Sequence, residues 1–243
     1  MRTALAGLLA LTVPLAAQDD LSYFRADVGL AGGRFHYRTD NDSRVDRADA
    51  ALFRVQVEGT GSRGFGGGAR FEGLFTDDYL VDAQNQRGST DNGTLFLHMT
   101  YRFEEHRFAM PFRAGLLVNR LGLGDNGDGY DTTYLSVGPK LELAPELVLL
   151  RRRSAQWTLY GELGFGVGGT WIDFSDTNTT FHSSTGFAGI EVGTRVRLRA
   201  FELGLAYVGR WQSMAESDDR GGLFAQGYGT SFNGLLLTMG IVF

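Results

Sequence analysis

Few residues of this 243-residue chain have types and spacings that could do chemistry. The stretch "FHSST" sets His182 two residues before Ser184. On an extended strand those two share a face, so an imidazole there could take the hydroxyl proton and make a nucleophile. No carboxylate stands in phase to hold the imidazole. Asp77 and Asp78 are adjacent, which on a strand sends them to opposite faces, and Asp176 lies six residues from His182. His36, His98 and His106 fall on separate strands or turns without metal-ligand spacing, and read as hydrogen-bonded lumen or rim residues. The acidic run "GDNGDGYD" lacks the Asp spacing and distal Glu of a calcium loop. The glycine clusters "GFGGGAR" and "GELGFGVGG" alternate with large apolar residues and open no helix, so they do not read as phosphate cradles. Neither a metal nor a cofactor is expected.

The elements that must position these residues are strands. Alternation of large apolar with small or charged residues recurs in segments of ten or more, separated by alternately short and long polar connections. A first strand over about 22–37 sets Phe24, Ala26, Val28 and Leu30 against Arg25, Asp27 and Gly29, with a bulge expected at Gly32 and Gly33, where the apolar phase shifts to Phe35 and Tyr37. Further strands run through Phe53 to Glu58, Phe65 to Phe75, Thr94 to Phe103, Arg107 to Asn119, Leu135 to Leu143, Trp157 to Trp171, Ala188 to Leu198 and Phe201 to Trp211. Pro139 is awkward, because it removes a ladder donor. The last strand is "NGLLLTMGIVF". Short connections are expected near Gly61, Glu105, Arg152 and Arg199, and long ones near 39–50, 76–92, 121–131, 173–184 and 212–228. The prediction is an all-β, antiparallel up-and-down transmembrane β-barrel of about ten strands, with eight or twelve as alternatives.

Composition bounds the rest. Residues 1–17 have the charged, apolar and small-residue order of a secretory signal peptide, leaving 18–243 as the barrel. Zero Cys excludes disulfides and thiolate metal sites. No apolar run is long enough for a membrane helix, so insertion would have to be as a barrel. A net charge of -5 without a basic exterior stripe argues against nucleic acid.

Alternation does not say which face points inward, but volume does. Phe, Leu, Trp, Tyr and Met on nearly every strand exceed what a ten-stranded interior could hold, while the other face is rich in Gly, Ala, Thr and Ser with charges between them. The large face therefore points outward, and aromatics near strand ends, such as Phe24, Phe75, Trp157, Trp171 and Trp211, form interfacial girdles. The inward set contains Arg25, Asp27, Arg54, Glu58, Arg70, Glu72, Arg102, Arg107, Arg113, Lys140, Glu142, Glu162, Glu191, Arg195, Arg197, Glu202 and Arg210. Such charges must be paired or hydrated. They make either a salt-bridged plug or a narrow wet constriction with a small basic excess, suited to small polar solutes.

Over the whole of 18–243 the chain resembles the small outer-membrane β-barrel proteins, porin-like or similar to the barrel of outer-membrane protein A. In that superfamily a terminal aromatic with apolar residues at alternate positions is read by the barrel-assembly machinery. Met239, Ile241 and Phe243 match, although Thr238 stands where a glycine is usual. The resemblance implies a Gram-negative bacterial outer membrane, with its lipid and the assembly machinery as partners. Two enzyme families share the architecture. Omptin proteases carry Asp-x-Asp and Asp-x-His pairs, which Asp77, Asp78, Asp176 and His182 do not reproduce. Lipid A deacylases carry His-x-Ser followed by Asn, where His182 and Ser184 are followed by Thr185. The expectation is a non-enzymatic membrane barrel, a narrow pore or a surface-contact barrel. The alternatives are an outer-membrane hydrolase or a soluble exported ligand-binding barrel.

Overall fold

The computed structural model describes residues 21–39, 46–76, 79–80, 87–123, 132–174, 180–218 and 224–243. The signal segment, Asp77, Asp78, Asp176 and the run "GDNGDGYD" lie outside them. Thirteen strands occur: β1 (Leu21–Thr39), β2 (Asp46–Gly61), β3 (Phe65–Thr76), the pair β4 (Tyr79–Leu80) and β5 (Arg87–Gly88), β6 (Thr90–Glu105), β7 (Phe108–Leu123), β8 (Thr132–Leu143), β9 (Glu146–Arg152), β10 (Ala155–Phe174), β11 (Thr180–Leu198), β12 (Phe201–Met214) and β13 (Tyr228–Val242). β4 and β5 make a separate small hairpin. β8 and β9 are one stave interrupted at Ala144 and Pro145, since both pair with β10. Ten antiparallel staves result, as the alternation predicts.

The ring closes without an edge. β13 pairs with β1 from Val242 opposite Arg25 to Tyr228 opposite Thr39, and Phe24 and Phe243 exchange two backbone hydrogen bonds of 3.1 and 2.9 Å. Elsewhere neighbours in sequence are neighbours in space. One end of the barrel carries tight turns, where Gly64, His106 and Arg199 hold positive φ of 78°, 52° and 58°. The other end carries the long connections.

The bulge expected at Gly32 and Gly33 is absent. Register runs unbroken through both glycines toward β2 and toward β13. Phe35 and Tyr37 point inward, 1% and 7% exposed. The chain does not shift phase there; the interior changes character instead. Toward the tight turns the inward side chains are charged. Toward the long loops they are apolar: Phe35, Leu52, Leu74, Leu121, Tyr134, Ile172, Val208, Phe232 and Leu236 form one buried cluster. Outside, large apolar side chains cover the wall all round, with Leu30, Met99, Phe201 and Leu237 each more than 60% exposed.

Glycine lets neighbouring backbones close up at Pro139. The β8–β10 ladder skips from Lys140 opposite Gly166 to Val137 opposite Gly169. A Cβ on Gly138 would stand 1.9 Å from the Val167 carbonyl oxygen, whereas one on Gly169 would meet nothing within 4 Å. We therefore expect Gly138→Ala to lower the refolded, heat-modifiable fraction sharply on a gel, and Gly169→Ala to leave it unchanged. Equal yields for the two would contradict the close approach.

Candidate functional site: the lumen and its wall

Sixteen of the seventeen charged residues expected in the lumen occupy inward-facing strand positions, and most meet there. Arg54 is 1% exposed and donates to Glu191 at 2.7 Å and to Asp27 at 3.3 Å. Arg25 pairs with Asp27 at 2.9 Å and Glu202 at 3.0 Å. Arg70 donates to Glu142 and, at 2.5 Å, to Glu162. Arg113 reaches Glu58 at 2.6 Å, Glu162 at 2.9 Å and Glu142 at 3.4 Å. Lys140 pairs with Glu142 at 2.8 Å. Arg210 holds both oxygens of Glu72 at 2.9 and 2.7 Å. The strand period puts every one of these on the inner face, and the ring brings together residues up to 138 positions apart in sequence.

Two members depart from expectation and one was missed. Arg107 is exposed, because it stands in the tight turn after His106 rather than on a wall. Arg197 is half-buried at the tight-turn end and donates to Gln156 at 3.2 Å, with no carboxylate partner among the described residues. Glu146 accepts from Arg102 at 2.8 Å and from Arg195 at 3.0 Å. Sequence alternation did not reveal Glu146, because the strand was expected to end at Leu143, whereas the inward phase of Lys140 and Glu142 and the register to β10 carry on to Glu146. With Glu146 included, the ion-paired interior holds eight cations (Arg25, Arg54, Arg70, Arg102, Arg113, Lys140, Arg195, Arg210) and eight carboxylates (Asp27, Glu58, Glu72, Glu142, Glu146, Glu162, Glu191, Glu202). The small basic excess read from the sequence is therefore replaced by balance.

Aromatic faces complete the packing. The Arg195 guanidinium lies 3.5 Å over the Tyr160 ring, whose hydroxyl donates to Glu191 at 2.7 Å. Arg102 stacks on Tyr23 at 4.2 Å, and Lys140 lies 4.8 Å over Phe96. Above the charges, Asn92, Thr94 and Asn119 form a short polar layer, with Asn119 donating to Thr94 at 2.8 Å. The apolar cluster follows, in which Leu121, Ile172, Val208 and Leu236 are fully buried. Between these layers a space of only about 70 Å³ is lined by Glu72, Asn119, Lys140 and Arg210.

The histidines fall where no joint chemistry is visible. His98 faces inward, hydrogen-bonded to Thr100 at 3.0 Å, while His36 faces outward on β1. His182 and Ser184 share the outer face of β11 and are exposed, but share no hydrogen bond among the described residues. Trp171 meets the His182 ring edge-on at 6.3 Å. Asp173, the carboxylate that sequence reading did not place in phase, is on that same face, where it accepts from Thr180 at 3.0 Å. Among the described residues no group of three metal-ligating side chains occurs. Met239, Ile241 and Phe243 alternate on the outer face of β13 and the residue after it, with Phe243 6.3 Å from Phe24.

No family model matches the chain, and no curated protein does. Among solved structures it resembles the outer membrane protease OmpT from Escherichia coli, at 11% identity and a TM-score of 0.57, over 91% of this chain and 97% of that one. The beta domain of the Bordetella autotransporter BrkA matches at 12% identity and a TM-score of 0.39, over 93% and 99%. The translocator domain of the autotransporter NalP from Neisseria meningitidis matches at 10% and 0.38, over 90% and 88%. The shared feature is the fold, that of outer-membrane β-barrels.

Removing one partner from a buried ionic network strands the other charges. Arg54→Leu leaves Asp27 and Glu191 short of a cation and should cost about 3–5 kcal/mol, read by urea unfolding of protein refolded in lipid vesicles. A loss below about 1 kcal/mol, the usual value of an exposed pair, would show that water reaches the network.

Proposed function

We propose that this chain is an integral outer-membrane barrel that is closed to solutes and non-enzymatic, and that acts as a structural and surface-contact barrel. The observation that carries this reading is the interior. An ionic network fills the tight-turn half and an apolar cluster fills the long-loop half, so a permeating ion would have to break buried pairs and then cross a dry layer.

The membrane half of the reading rests on the outer wall. Contiguous apolar surface on a water-soluble monomer seldom exceeds a few hundred Å², whereas here large apolar side chains are exposed on every stave. Closure leaves no backbone edge to desolvate, as hydrocarbon requires. The fold shared with outer-membrane barrels agrees with this location. The non-enzymatic half is supported by the geometry of His182 and Ser184, which are not hydrogen-bonded to each other, and of Asp173, which is engaged by Thr180. With the lumen filled, the chain's contacts with partners fall to its long connections and its lipid-facing wall.

Planar-bilayer recording separates closed from open. The wild-type protein should give no discrete steps, while thinning the apolar layer with Leu121→Gly, Ile172→Gly and Leu236→Gly together should produce them. Steps of stable amplitude from the wild-type protein would overturn the closed-barrel reading in favour of a narrow pore.

A further inference from the structure

The outer wall is not uniformly covered. A groove of about 740 Å³ crosses six adjacent staves from β8 to β1. Its two flanks are successive outward rows of one ladder. The first row runs Leu141, Phe165, Ala188, Trp211, Ser231 and His36, each paired directly with the next. The second contains Val167, Gly186, Ser213, Gly229 and Arg38, again paired in succession. The floor is backbone. Elsewhere these outward positions are mostly large and apolar, but across β11 to β13 they hold Gly, Ala and Ser, with Trp211 the one large side chain among them. A Cβ on Gly229 would meet nothing within 4 Å, and one on Gly186 only a carbonyl oxygen at 4.0 Å.

Length and slope fit one kind of occupant. Five interstrand spacings give a length of about 24 Å. Because staves of such barrels tilt about 35–45°, the groove climbs roughly 15 Å, about half of a 30 Å hydrocarbon core and so one leaflet. It starts at mid-wall, at Leu141, and ends at the long-loop rim, at Arg38. The lining is apolar below and carries Arg38 at its upper end. Arg34 and Arg47 are exposed beside it, Arg47 opposite His36 and Arg34 opposite Asp49, and none of the three arginines has an ion pair among the described residues. Three guanidiniums gathered at the top of an apolar channel suit an anion joined to a chain.

We propose that the groove seats an acyl chain of an outer-leaflet lipid whose phosphate is bound at the rim by Arg34, Arg38 and Arg47. The proposal rests on the membrane reading above, which fixes the long-loop end outward. A guanidinium presents paired donors that match phosphate oxygens, and the small residues admit the chain without moving the wall. The site would order one lipid rather than join the fluid annulus.

Native mass spectrometry of the detergent-refolded barrel tests this, with dipalmitoyl phosphatidic acid as probe, dipalmitoyl phosphatidylcholine as the zwitterionic control and inorganic phosphate as competitor. The expected result is one phosphatidic acid retained per barrel at collision energies that strip the control. Arg34→Ser, Arg38→Ser and Arg47→Ser combined should cut retention at least tenfold. So should Gly186→Leu with Gly229→Leu, which fills the groove and leaves the rim intact. Equal retention of both lipids, or no loss in either variant, would overturn the proposal, as would displacement by inorganic phosphate at equal concentration, which would mark a free-anion site. Heat-modifiability on a gel is read in parallel. A barrel that shifts on heating but prefers neither lipid sinks the groove and spares the membrane reading; one that never shifts sinks both.

Discussion

Every backbone N–H and C=O that crosses hydrocarbon must find its partner within the chain, and in this molecule the rest follows from how that is met. β13 returns to β1, so ten staves bond in a ring with no open edge. Once the ring is closed, each stave has an inside and an outside, and the two-residue period of the strand assigns every side chain to one of them. An apolar exterior and a polar interior are then a single decision made once. A one-residue slip in β1, β2, β3 or β7 would turn Arg25, Arg54, Arg70 or Arg113 onto the apolar outer face.

Closure also sets the problem of the lumen. Ten staves bring sixteen charges together inside one ring, and unpaired charges there would be very costly. The solution is neutrality by pairing: eight cations and eight carboxylates contributed by nearly all the staves, with Arg113 and Glu142 each serving several partners. Such pairs need not add much net stability. Their effect is to fix stave positions relative to one another, since most of them join different staves. The apolar cluster lies on the long-loop side of this network, and it includes Phe35 and Tyr37, whose inward direction looks wrong in a one-dimensional reading.

The alternation, the closing strand and the inside-out volume argument were legible because strand period is a local property. Ten staves and most inward charges came from it directly. Four features were not legible, each for a physical reason. Phe35 and Tyr37 looked like a phase shift, because an apolar residue on the inner face has the same letter as one on the outer. Glu146 was hidden because Ala144 and Pro145 read as the end of a strand, although the inward phase runs on through them. The groove could not be seen at all, since it depends on residues of six staves falling side by side, and register between staves is not written in any one of them. Arg107 was assigned inward because the turn at His106, held by a positive φ, takes in Arg107 as well, so that β7 begins one residue later than the alternation suggests.

The most direct test of the central claim, an apolar wall turned to lipid around a sealed polar interior, uses the chain's own fluorophores. Trp157, Trp171 and Trp211 all point outward and are 45%, 42% and 40% exposed. In vesicles of lipids brominated on the acyl chains, their emission should be strongly quenched, while aqueous acrylamide should have little effect. Quenching by acrylamide with none from the brominated chains would mean that the large face meets water, and would contradict the account.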